Sequence, residues 1–359
     1  MIGHADRCRT AGRGPSPRNA TASAAVAILC ALAASPAWAG ATFDRLKAQG
    51  SFKCGVVRQA GVAIGDVDAT GQWRGFFPDF CRVVAAALTG DPDRVEYVLV
   101  AARNRMKVLH DREADVVMQN ATLTLTREAV EQVSFPAIYY YDGQGFMGHV
   151  GLRARNLAEL RSAGKAKACV LTSTTTEMGL RELVATTHPN VEILPVDTQD
   201  GYFTSFALRQ CDIVSHDRLF LSAHSRRKDL GEVVVFPDVI SKEPLGPMVR
   251  ADDRAWELLV RWAVHATIQA EELGLTSANV AARRASDKSP PVQRLLGGIP
   301  GLGAALGVAD DWALRIIETS GNYGEIYDRN LGAGSDLKVE RGLNQLWTKG
   351  GLLYAPPMR

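Results

Sequence analysis

Ala114-Asp-Val-Val-Met-Gln-Asn-Ala-Thr-Leu-Thr-Leu-Thr-Arg127 passes from a short apolar run straight into a Thr-rich turn that ends in an arginine. The first part, Ala114 to Gln119, reads as a buried strand. In open α/β sheets ligands bind outside the carboxyl ends of strands, so the turn after this strand faces any cleft. Arg127 can present a planar fork of N–H donors to a carboxylate, a geometry Lys lacks. Thr122 adds a hydroxyl and a backbone N–H.

Working outward, strands alternate with helical patterns. Phe52 to Val57 and Val95 to Val100 read as strands, Asp79 to Leu88 and Arg103 to His110 as helices. After Gly151 the rhythm restarts: strands at Ala168 to Leu171, Val191 to Leu194, Cys211 to Ser215 and Glu232 to Phe236, with helices at Glu177 to Ala185 and Tyr202 to Arg209. Such βαβ alternation predicts an α/β chain of two doubly wound lobes. Two extended, Gly- or Pro-bearing stretches, Tyr139 to Met147 and Ile240 to Arg250, read as two crossings of one hinge, with the second unit inserted into the first. The predicted boundaries are 40–147 and 248–359 for the first lobe and 148–247 for the second. A helix is expected over Trp256 to Leu273 and a loop over Ser286 to Gly307. The rest forms a helical C-terminal extension bracing the first lobe through Trp312, Ile316 and Trp347.

The N-terminus carries four arginines before a small apolar run, Ala24 to Ala34, then Pro36 and Ala37-Trp38-Ala39. This is the pattern of an export signal cleaved after Ala39. Eleven apolar residues fall short of the roughly 20 that span a bilayer. Residues 1–39 hold four Arg and one Asp, so the 41 basic and 39 acidic residues of the chain become 37 and 38 after cleavage. That balance argues against a nucleic-acid surface. Four cysteines remain, Cys54, Cys81, Cys169 and Cys211, and an even count in an exported chain points to disulfides. Three connectivities are open; proximity along the chain and the lobe division favour Cys54 with Cys81 and Cys169 with Cys211. No CxxC-like spacing suggests a metal.

Two further strand ends complete a constellation. Ser173-Thr-Thr-Thr-Glu177 follows a strand, and Thr174 with Glu177 fits a capping box that opens a helix whose free N–H groups suit an anion. Asp217 follows the strand at Cys211 to Ser215 and can accept from an ammonium group. One Arg, one Thr-rich helix start and one Asp at three strand ends suit a zwitterion, of which an α-amino acid is the simplest.

Four longer stretches carry a resemblance: Tyr140-Tyr-Asp-Gly-Gln-Gly-Phe-Met147, Ile240-Ser-Lys-Glu-Pro-Leu-Gly-Pro247, Gly321-Asn-Tyr-Gly-Glu-Ile-Tyr327 and Leu346-Trp-Thr-Lys-Gly-Gly-Leu-Leu-Tyr-Ala-Pro-Pro357. With the strand-end segments, they resemble the general L-amino-acid-binding proteins of polar amino-acid ABC importers, solute-binding protein family 3, over nearly the whole chain after the signal. The resemblance implies the type II periplasmic binding protein fold and a periplasmic monomer that hands an L-amino acid to an ABC transporter permease, without a cofactor. It assigns the ligand carboxylate to Arg127, with Thr122 beside it and Thr174 and Thr175 from the second lobe. The α-ammonium falls to Asp217. The four cysteines also correspond to the family's, in support of within-lobe pairing.

The chain departs from that family where the ligand side chain would lie. Val62-Ala63-Ile64-Gly65 stands where an aromatic residue usually does, and Leu123 stands where a Trp is expected. Ser173 replaces a Gly, and His216 and Arg218 flank Asp217 in place of small or polar residues. Loss of aromatic walls at Ile64 and Leu123 favours aliphatic over cationic or amide ligands. Arg218 is also placed to pair with Asp217 and compete with an ammonium. Two other uses share this fold: an amino-acid or small-carboxylate sensor, and a dehydratase, for which Asp217, His216 and Asp66 are the acid–base candidates. Gly301-Leu-Gly303 has no strand before it and gives no dinucleotide loop.

Overall fold

The structure, a computed structural model, describes residues 40–58 and 64–359. The expected signal, residues 1–39, and Val62 and Ala63 lie outside the described residues.

Two sheets organise the chain. The first has three parallel strands in the order Val95–Leu99, Phe52–Val56, Val116–Val117. The Gly75-Phe-Phe-Pro-Asp-Phe80 segment opens the helix Phe76–Thr89, whose apolar residues are buried almost all round, as a helix covered by both sheet and helices must be. The second sheet has five strands, ordered Val191–Val196, Ala166–Leu171, Ile213–Asp217, Gln144–His149, Val233–Val235. The first three are mutually parallel, whereas Gln144–His149 runs antiparallel to both its neighbours. This sheet is therefore mixed, because its fourth strand arrives from the connecting ribbon and not through a helical crossover. The chain enters it at Gln144, inside the stretch expected for the first lobe.

The connecting stretches pair with each other. Tyr140–Asp142 lies antiparallel to Glu243–Leu245, and Val133–Ser134 to Val249–Arg250. Two crossings thus run side by side as short ribbons. Both expected disulfides form: Cys54–Cys81 ties the first strand to the helix Phe76–Thr89, and Cys169–Cys211 ties two stretches of the second sheet.

The C-terminal third braces the first sheet and the ribbons. Helices Arg254–Glu272, Trp312–Ser320 and Tyr323–Asn330 share one core with Phe76 and Phe80. Asn322 and Glu325 form a full capping box at the start of the third helix. Tyr323 donates its hydroxyl to the Tyr139 carbonyl at 2.8 Å, and the Tyr140 and Tyr327 rings stack at 6.3 Å, so the extension grips the first crossing directly. Two expectations are corrected here. Ser286 to Gly307 is not a plain loop: it holds the helices Pro290–Leu295 and Leu302–Ala305, the first opened by Pro at its initial positions, where a missing N–H costs nothing. Trp312 and Ile316 are buried, but Trp347 is 53% exposed. The Gly301 and Gly303 amides both donate to Asp310, so this glycine loop spends its N–H groups on its own chain.

Candidate functional site

The site is assembled where strands of both sheets end. Beyond Val116–Val117, the chain turns through Gln119 and Asn120 to the short helix Leu125–Ala129. Thr124 caps that helix by accepting the Arg127 N–H, which sets Arg127 one turn in. The Arg127 side chain is buried, and its Nη1 donates to the Thr122 carbonyl at 2.6 Å. From the second sheet, Ala166–Leu171 leads to Ser173 at φ 60° and to the helix Thr175–Thr186. Thr174 caps it by accepting the Glu177 N–H at 3.1 Å. The Glu177 carboxylate reaches back to the N–H of Ser173, not of Thr174, so the expected capping box is displaced by one residue. Ile213–Asp217 brings His216 and Asp217 to the same edge.

These ends enclose a cavity of about 100 Å³. Arg127, Thr174, Thr175 and Asp217 all line it, so one Arg, one helix start and one Asp from distant parts of the chain meet, as their strand-end positions suggest. Among the lining residues not assigned a ligand role from the sequence are Arg105, Asn120 and His216. Arg105 opens the helix Arg105–His110, is almost fully buried, and donates from Nε to Ala102 O at 2.8 Å and from Nη1 to Asn120 O at 3.4 Å. Burial and the neighbouring Arg127 pull its guanidinium down to about 9, with Asp217 acting against them. Asn120 donates its amide to Asp217 Oδ2 at 2.6 Å, a bond that joins the two sheets' edges.

The remaining predicted residues fall elsewhere. The Thr122 hydroxyl faces the buried Glu243, to which Thr175 also donates at 3.1 Å. Neither Ile64 nor Leu123 lines the cavity: Ile64 is fully buried in the first sheet's core, and Leu123 packs, partly buried, against the core cluster that holds Val117 and Met248. The aliphatic preference expected from these positions therefore has no wall to rest on. The Arg218 side chain forms no ion pair with Asp217 among the described residues; its Nη1 donates to the Pro237 carbonyl at 2.8 Å.

Burial raises the Asp217 carboxyl above the ordinary carboxylate range, while the Asn120 amide and the charges of Arg105 and Arg127 hold it down. Asp142, in the first crossing, is raised as well, by burial and by the Asp217 charge. Glu243 is raised by burial and by Asp217. Of these three carboxyls only Asp217 lines the cavity, and Asp142 and Glu243 feel its charge from outside it.

The profile of the bacterial extracellular solute-binding proteins, family 3, matches residues 62–333. The chain belongs to this family. Two relatives cover nearly all of this family 3 solute-binding protein. The general L-amino acid-binding periplasmic protein AapJ of Rhizobium johnstonii is 38% identical over 95% of this chain and 100% of its own length. The glutamate/glutamine/aspartate/asparagine-binding protein BztA of Rhodobacter capsulatus is 40% identical over 94% and 98%. Among solved structures, a Brucella ovis ABC transporter/periplasmic binding protein with glutathione bound superposes with a TM-score of 0.83 at 37% identity, covering 89% of this chain and 99% of that one. The type II periplasmic binding protein fold is the fold of this family 3 member. Among the described residues no helix is long and apolar enough to cross a membrane.

Proposed function

We propose that this family 3 solute-binding protein is exported to the periplasm by cleavage after Ala39, captures an L-amino acid between its two sheets, and presents it as a monomer to the permease of an ABC importer. One observation carries the reading: Arg127, Asp217 and the N-terminus of the helix Thr175–Thr186 line one small cavity, offering a cation, an anion and free amides to a single zwitterion. The relatives named above, two of them amino-acid-binding proteins, support it. In this reading the two sheets are the cores of two lobes and the paired ribbons are their hinge, the division falling at the ribbons. A ligand held first by one lobe gains contacts to the other only on closure, and that difference in affinity drives closing.

The site is read as a binder and not a catalyst. His216 is its imidazole, and burial pushes it down to about 3 with help from the Arg105 charge, which makes it a poor base at neutral pH. The Asp217 carboxylate is already hydrogen-bonded to Asn120.

A thermal-shift screen against all L-amino acids tests the reading. A ligand of micromolar Kd at millimolar concentration stabilises by about 4 kcal/mol, a plain rise in Tm. Silence across the panel would sink the proposal.

The pH dependence has a definite sign. An ammonium needs the ionised carboxylate, so affinity is full above the raised Asp217 pKa and is lost as pH falls through it, by about ten-fold per pH unit once below it. Calorimetry is expected to give a constant Kd between pH 8 and 7 and a weakening one toward pH 5. Asp217→Asn is expected to bind at least ten-fold more weakly at pH 8 and to lose the acid slope. A wild-type affinity that ignores pH would remove Asp217 from the ammonium contact.

A further inference from the structure

Glu243 stands in the second crossing, opposite Asp142 in the ribbon, and is buried. Its carboxylate takes protons from three hydroxyls. Oε1 accepts from Ser241 at 2.5 Å, and the Ser241 oxygen in turn accepts the backbone N–H of Gln144, where the second sheet's strand Gln144–His149 begins. Oε2 accepts from Thr122, beyond the first sheet, and from Thr175, beyond the second, the latter at 3.1 Å. The turn that carries Thr122 is bonded to the crossing itself. Leu123 donates its N–H to the Pro244 carbonyl at 2.9 Å, and Gly246 donates to the Ala121 carbonyl at 3.1 Å. Glu243 and Thr122 are therefore fixed to one piece of backbone on the first sheet's side. Thr175 is the partner that arrives from the other side.

A hydroxyl carries one proton. Thr122 and Thr175 both give theirs to Glu243, so neither is left to donate to a carboxylate in the cavity, although Thr175 lines it. These two protons instead join the ends of the two sheets. Thr122 is also the joint to the ligand grip, because its carbonyl accepts from Arg127 Nη1 at 2.6 Å. A bonded path thus runs from Arg127 through Thr122 and Glu243 to the first residue of the helix Thr175–Thr186.

We infer that Glu243 is a positioning residue, a latch that accepts the Thr175 hydroxyl as the lobes close and so sets the balance of open and closed forms without touching the amino acid. The inference rests on the two-lobed, closing reading given above and names the group that fixes its balance. Glu243 does not line the cavity. Opening draws Thr175 away and leaves the carboxylate short of one of its three hydroxyl donors. A hydrogen bond to an ionised acceptor shifts an equilibrium by roughly ten- to a hundred-fold. Apparent affinity scales with the fraction of protein in the binding-competent form, so a weaker latch weakens binding through that fraction. A lost ligand contact would instead leave the balance of the free protein untouched.

The test reads the lobes directly, on the full chain after its signal is removed. Nitroxides attached through Arg94→Cys and Glu192→Cys, exposed positions at the starts of the two edge strands and so away from the cleft, report the distance between lobes by pulsed electron resonance. The ligand-free wild type is expected to show an open and a closed distance. Thr175→Val keeps the side chain's shape and leaves the Thr174 cap in place, and it is expected to cut the closed fraction by about ten-fold. Thr175→Ser, which returns the hydroxyl, is expected to restore it. Glu243→Ala is expected to lose at least as much, and the double variant no more than Glu243→Ala alone, since both break the same contact. Calorimetry with L-glutamine is expected to weaken by the same factors. A closed fraction that ignores Thr175→Val, additive losses in the double variant, or a free wild type with no closed fraction would overturn the latch and leave the amino-acid reading standing. If no amino acid of the thermal-shift panel binds, that reading fails instead, and the ligand-free distances still decide the latch.

Discussion

Arg127→Lys is expected to weaken amino-acid binding by roughly 30- to 150-fold, since losing a forked, charge-assisted contact costs about 2–3 kcal/mol and each 1.4 kcal/mol is a factor of ten. The reason lies in how the guanidinium is shared. Its Nη1 is already committed to the Thr122 carbonyl at 2.6 Å, which leaves the other donors for the ligand. A lysine ammonium is a single point and must serve either the carbonyl or the ligand carboxylate. The Thr124 cap uses the backbone N–H of residue 127, which the substitution keeps, so the helix Leu125–Ala129 stays in place. Calorimetry with the best ligand of the thermal-shift panel is the check. Wild-type affinity in this variant would take Arg127 out of the site.

The largest expected effect on stability comes from the disulfides. Removing Cys54–Cys81, which closes 27 residues, is expected to cost about 3.5 kcal/mol, and removing Cys169–Cys211, which closes 42, about 4 kcal/mol, through the freedom returned to the unfolded chain. All four cysteines are buried, so Cys→Ala pairs leave small apolar residues in place of sulfur and avoid stranding a buried hydroxyl. Denaturant midpoints of the two double variants, read without reductant, should both fall. The Cys169→Ala/Cys211→Ala pair should also weaken ligand binding. The strand Ala166–Leu171 positions the turn that ends in Thr174 and Thr175, and a looser strand holds that helix N-terminus less firmly. Unchanged midpoints would show that the surrounding cores order these segments unaided.

Much of the site was legible because its chemistry is local. Arg127, Thr174, Thr175 and Asp217 each sit just beyond a strand, and strand ends can be read from short apolar runs and turn residues. The Thr174 cap was legible for the same reason, since a hydroxyl and an N–H three residues on meet in any helix start. What failed depended on packing. Ile64 and Leu123 were expected beside the ligand side chain, but Ile64 lies in a core and Leu123 packs, partly buried, against another. Trp347 looked like core by composition alone, yet it is half exposed, beside the equally exposed Tyr354. Ser286 to Gly307 looked irregular because Pro and Gly punctuate it, although Pro at a helix start is well tolerated.

Short-range patterns in the chain are enough for the α/β class, the two sheet units with a doubled connection, the cysteine pairing favoured by proximity, and the strand-end residues Arg127, Thr174, Thr175 and Asp217 that meet at one cavity. These follow from periodicity, strand ends and spacing, all short-range properties of the chain. It takes the tertiary packing to bring Arg105, Asn120 and His216 into the cavity with them, to bond Asn120 to Asp217, and to leave a buried His216 ring nitrogen without a partner among the described residues. Asn120 and Asp217 lie 97 residues apart along the chain. Whether such groups meet depends on how the sheets close over one another, and so does the dielectric that sets their charge. No local pattern of residues encodes either.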